Sequence, residues 1–62
     1  MPIVIVKMAA GRTQDQKEAM ARDITDAVVK NLALPNADHV WVLCEELARD
    51  DIIIAGTPLS KS

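Results

Sequence analysis

Residues 3–9, Ile-Val-Ile-Val-Lys-Met-Ala, are apolar at both odd and even positions apart from Lys7. A strand with one wet face alternates apolar and polar side chains, so this run predicts a strand covered on both faces. Ala10-Gly11 then breaks the pattern, and the period changes. Met20, Ile24, Ala27, Val28 and Leu32 recur at three- and four-residue spacing and predict one amphipathic helix ending near Leu32. The helix opens on Thr13-Gln14-Asp15-Gln16, which has the form of a capping box. Glu18 with Arg22 and Asp26 with Lys30 are spaced as i,i+4 pairs on its outer side. Pro35 biases Leu34 away from helical angles and sets a limit to the helix. Asn36-Ala37-Asp38 reads as a turn, and residues 40–44, Val-Trp-Val-Leu-Cys, as a second β-prone run.

Strand, helix and strand in about forty residues make one β-α-β unit, with parallel strands and a right-handed crossover helix. Residues 45–51 form a charged connector. Residues 52–54, three isoleucines, form a short C-terminal strand or hairpin, residues 55–58 a turn, and residues 59–62 a tail. The expected class is α+β, one domain over residues 1–62.

One helix covers one face of such a sheet, and nothing in the chain is left to cover the other. Ile3 and Ile5 on one parity, and Val4, Val6 and Met8 on the other, make both faces apolar. A large exposed apolar patch marks an interface. Half of the 62 residues are apolar, with a single aromatic. A chain of this length buries only about 60% of its unfolded surface and needs a disulfide, a metal or partner subunits. Cys44 is the only cysteine, so no disulfide forms within the chain. His39 and Cys44 are the only soft ligands, and no metal site is expected. Association remains: a homo-oligomer whose subunits pack sheet to sheet, closed by symmetry.

The net charge is −2 and the basic residues are scattered, without the stripe that nucleic-acid binding requires. No apolar run is long enough to span a bilayer, and no signal-peptide pattern is present. A cytoplasmic protein with a reduced cysteine is expected.

The start of the chain carries the candidate chemistry. Once Met1 is removed, Pro2 has a free secondary amine at the first position of a strand. An ordinary α-amine titrates at about 7.7–8.0. Apolar walls and a nearby cation disfavour its protonated form and bring it towards the range a general base needs. The plainer alternative for Pro2 is a residue that permits Met1 removal and blunts the strand's start. Arg12 offers a planar fork suited to a carboxylate; its plainer alternative is a solvated loop arginine. His39 reads as a surface turn residue, and Cys44 as a small core residue. Glu45 and Glu46 point to opposite faces of a strand and cannot share one substrate atom.

Met1-Pro2-Ile3, Gly11-Arg12-Thr13, Asp15-Gln16-Lys17-Glu18, Pro35, Val40-Trp41-Val42, Glu45-Glu46-Leu47 and Ala55-Gly56, in this order and spacing, resemble the 4-oxalocrotonate tautomerase family. The resemblance spans nearly the whole chain. It implies a β-α-β subunit, a dimer with a four-stranded sheet, a hexamer built as a trimer of dimers, and no cofactor. It implies an enol–keto tautomerase acting on a small enol or keto acid such as a 2-hydroxydienoate, 2-hydroxymuconate among them. Pro2 matches the family's catalytic base and Arg12 its carboxylate-binding arginine. Two positions depart. The family's second arginine falls at Trp41, which cannot grip a carboxylate, so a monocarboxylate or an acid with an apolar tail fits better. The family's water-excluding aromatic falls at Ile52, which can still exclude water. Trp41 and Ile52 are the further substrate-binding candidates, with a core or interface role as the alternative for Trp41. Arg49 of a neighbouring subunit is another candidate for the missing cation. A sister chemistry, dehalogenation or decarboxylation with a cationic Pro2 as acid, and a non-catalytic oligomeric module are the alternative readings.

Overall fold

The computed structural model describes residues 1–61; Ser62, the last residue of the expected tail, lies outside the described residues. Two strands, β1 (Ile3–Ala9) and β2 (Trp41–Leu47), pair in parallel and are joined by the helix α1 (Gln14–Asn31). The register sets Ile3 against Trp41, Ile5 against Leu43, Lys7 against Glu45 and Ala9 against Leu47. The α+β class and the crossover unit are those expected from the hydrophobic pattern.

The capping box forms. Thr13 Oγ1 accepts from the Gln16 amide at 3.1 Å, and Gln16 Oε1 accepts from the Thr13 amide at 3.0 Å. At the other end, Ala33 takes a positive φ of 53°. The Leu34 amide then reaches the Val29 carbonyl at 3.0 Å, and the Ala33 amide reaches that of Lys30. This left-handed closure satisfies the last carbonyls before Pro35 is reached.

The helix rests on the parity that holds Val4, Val6, Met8, Val42 and Cys44, all half-buried. Its own sheltered positions are Lys17, Met20, Ala21, Ile24, Thr25, Val28 and Val29. Ala27 and Leu32, which the spacing places in the apolar stripe, stay exposed. The sheltered face is rotated towards Ala21 and Thr25. Among the described residues the ion pair is Lys17 with Glu46, between helix and sheet, and not the two helical pairs that spacing suggests.

Several boundaries differ from expectation. The second strand runs to Leu47 and takes in Glu45 and Glu46, because β1 offers backbone partners as far as Ala9 whatever the side chains are. The connector is reduced to Ala48 and a 3₁₀ turn, Arg49–Asp51. The triple isoleucine enters a hairpin of β3 (Ile53–Ile54) and β4 (Thr57–Pro58), so Thr57 and Pro58 are strand and not turn. Ala55 and Gly56 alone turn the chain, with φ of 52° and 84°, the pair of positive angles that a two-residue hairpin needs. A second 3₁₀ turn, Leu59–Lys61, replaces the expected irregular tail.

Among the described residues none is fully buried. The sheet face opposite the helix carries Ile3, Ile5, Trp41, Leu43 and Leu47, with Ile5 54% and Leu43 44% exposed. Ile53 and Ile54 on the hairpin are more than 60% exposed. The Cα radius of gyration is 14.7 Å, against roughly 10–11 Å for a compact chain of this length. The described residues therefore form no closed core, and one sheet face and the hairpin leave a large apolar surface exposed.

Candidate active site

Pro2 stands one residue ahead of β1. Its carbonyl accepts from the Trp41 amide at 3.0 Å, the first rung of the parallel ladder. The terminus is thereby tied to the sheet, and Pro2 is half-buried. It lines a cleft of about 550 Å³ with Met1, Leu34, Pro35, Asn36 and His39.

Arg12 sits at the far end of the same strand. Its side chain lines a separate cleft of about 230 Å³ with Met8, Gln16, Lys17 and Met20. Ala10 is fixed on both sides of its peptide: its amide donates to the Leu47 carbonyl at 2.9 Å, and its carbonyl accepts from Arg49 Nε at 3.3 Å. Gly11 follows with a φ of 127°, a region that L side chains rarely enter. Thr13 is fixed in turn by the capping box. Arg12 thus lies between two anchored points and has little backbone freedom.

Within one chain the two principal candidates are not brought together. Between them runs all of β1, about 25 Å at the usual strand rise. Trp41 lies on the open sheet face in register with Ile3. Ile52 stands at the base of the hairpin, where its carbonyl accepts from the Leu59 amide at 2.8 Å. Neither lines the Pro2 cleft or the Arg12 cleft. Two residues gain a place that sequence reading does not give them. His39 shares the cleft of Pro2, a position that follows from the parallel register, since residue 39 is two before the partner of Ile3. Arg49 braces the loop of Arg12, a contact between residues 39 apart that no local pattern signals.

The model of the tautomerase enzyme family matches residues 2–62. The chain belongs to the tautomerase family. A probable tautomerase of Lactiplantibacillus plantarum is 39% identical over 56 residues, covering 90% of this chain and 86% of that protein. A probable tautomerase of Bradyrhizobium diazoefficiens is 52% identical over 46 residues, covering 74% and 67%. Among solved structures, YwhB, a homologue of 4-oxalocrotonate tautomerase, superposes with a TM-score of 0.87 at 34% identity over 98% of both chains. Among the described residues no cluster of His, Cys, Asp or Glu is arranged to hold a metal ion, and no helix is long and apolar enough to cross a membrane.

Proposed function

We propose that this chain is an enol–keto tautomerase in which the free imino nitrogen of Pro2, exposed by removal of Met1, moves the proton. The nitrogen takes the proton of the 2-hydroxyl of an enol acid. The electron pair moves through the conjugated carbons, and the same proton returns to carbon. A base must come within hydrogen-bond reach of that hydroxyl, directly or through one water, and the rung from the Trp41 amide to the Pro2 carbonyl is the observation that supports the reading, because it ties residue 2 to the sheet. The chemistry asks for no cofactor.

The separation of Pro2 from Arg12 is answered by symmetry. Among the described residues no strand pairs with the edge of β1 away from β2. Antiparallel pairing of two such edges about a two-fold axis sets the start of one β1 against the end of the other. Pro2 of one copy then meets Arg12 of its partner, twice per dimer. The partner arginine grips the substrate carboxylate through a bidentate pair and draws electron density along the chain of double bonds. Further association, as a trimer of dimers, covers the open sheet face, where Trp41 forms an apolar wall; Ile52 from the hairpin excludes water. With no arginine at position 41, the preferred substrate is a monocarboxylate with an apolar tail, of which phenylenolpyruvate is a simple representative.

Subunit mixing tests the shared site. P2A and R12A homomers are each expected to ketonise phenylenolpyruvate far more slowly than wild type. Unfolded together and refolded at equal ratio, they should recover roughly a quarter of wild-type activity, since half the dimers are mixed and one of two sites in each is intact. No recovery would show that Pro2 and Arg12 act within one chain or not at all. Unchanged rates in both homomers would end the proposal.

A further inference from the structure

We propose, resting on the proline reading, that His39 is a second catalytic group of this site, an imidazole N–H that donates to the substrate's 2-oxygen as Pro2 removes its proton. Pro2 and His39 line one cleft of about 550 Å³. The parallel ladder fixes this neighbourhood. The Trp41 amide is tied to the Pro2 carbonyl at 3.0 Å, and His39 stands two residues before Trp41. The turn that carries the imidazole is itself held: Asn36 Oδ1 accepts from the Asp38 amide at 3.0 Å, and the Val40 amide donates to the Ala37 carbonyl at 3.1 Å.

The remaining walls, Met1, Leu34 and Pro35, are apolar, and the polar side chains lining the cleft are His39 and Asn36. An apolar hollow with a few convergent polar groups is the usual form of a small-molecule site. Met1 is one of these walls, so its removal both frees the imino nitrogen and enlarges the space in front of it. When Pro2 takes the hydroxyl proton, negative charge develops on the 2-oxygen, which by then lies beside the nitrogen. The partner's Arg12 is committed to the carboxylate, and Trp41 lies on the open face of the sheet. Of the two polar side chains of this cleft, Asn36 is engaged in the turn through its Oδ1, and His39 is the one that offers an imidazole N–H to that oxygen. A fixed donor aimed at developing charge lowers the barrier more than it strengthens ground-state binding.

Steady-state ketonisation of phenylenolpyruvate by processed wild type, H39L, H39Q and P2A tests this, with size exclusion to verify assembly. H39L fills the same space without a donor, and its kcat should fall on the order of tenfold to a hundredfold, as for loss of one such donor, with KM almost unchanged. H39Q keeps an N–H and should regain most of the loss. Wild-type kcat in H39L overturns the assignment, as does an equal fall in H39Q or a fall that accompanies dissociation. In those cases an inactive P2A leaves the proline reading standing. An unimpaired P2A overturns that reading, and the role of His39 with it.

Discussion

Arg49 donates from Nε to the carbonyl of Ala10 at 3.3 Å, and its Nη2 lies 3.7 Å from where a Cβ on Gly11 would stand. The guanidinium is laid across the turn that presents Arg12. The link joins the 3₁₀ turn after β2 to the loop after β1, two segments that meet only because the strands are parallel and in register.

Arg49→Ala should therefore loosen Arg12 without unfolding the chain. Arg49 is exposed, so the stability change should stay within about 1 kcal/mol. The kinetic signature is a KM for phenylenolpyruvate raised severalfold with a smaller change in kcat, because carboxylate capture suffers first. Arg49→Lys should restore part of it by donating to the same carbonyl.

Gly11→Ala tests the backbone half of the same loop. The added Cβ would meet only ordinary contact with Arg49, so space is not the obstacle. The obstacle is the φ of 127°. A non-glycine residue held in a sparsely populated region costs of order 1–3 kcal/mol. The expected result is a lower Tm by thermal denaturation and a displaced Arg12, hence slower ketonisation even where the protein remains folded.

The proposed association predicts that folding depends on covering the open sheet face. Leu43→Asp puts a charge in the middle of the apolar face, beside Ile5 in register. Size exclusion with light scattering should show loss of the oligomer, and circular dichroism should show loss of structure together with it. Wild-type Tm should rise with protein concentration, as mass action requires of a folded state that exists only in the assembly. A stable, folded monomer of Leu43→Asp would contradict this.

The ion pair of Lys17 with Glu46 joins α1 to β2 but remains partly solvated, with side-chain exposures of 21% and 36%. Its coupling in a double-mutant cycle of Lys17→Met and Glu46→Gln should be below about 1 kcal/mol after screening. Denaturant unfolding measures it directly.

Most of the fold is legible in the order of residues. Two apolar runs, a helical period between them, and Thr13 followed three residues later by Gln16 determine the β-α-β unit. The hydrophobic pattern ends the second strand too early because Glu45 and Glu46 are charged, whereas a ladder is made by backbone groups and needs no apolar side chain. It draws the hairpin turn too broadly because Ala55 gives no sign of its positive φ. Of the candidate site, Pro2 and Arg12 are visible as residue types, but their separation is not, since it depends on the length of the strand between them. His39 and Arg49 look peripheral along the chain because their neighbours in space, Pro2 and Ala10, are 37 and 39 positions away.

The most direct measurement follows the Pro2 nitrogen itself. Preparations with Met1 retained and with Met1 removed, each verified by intact mass, can be compared for ketonisation of phenylenolpyruvate under the same conditions. A working imino base predicts activity in the processed chain and essentially none where Met1 converts that nitrogen to an amide. Equal rates in the two preparations would contradict it.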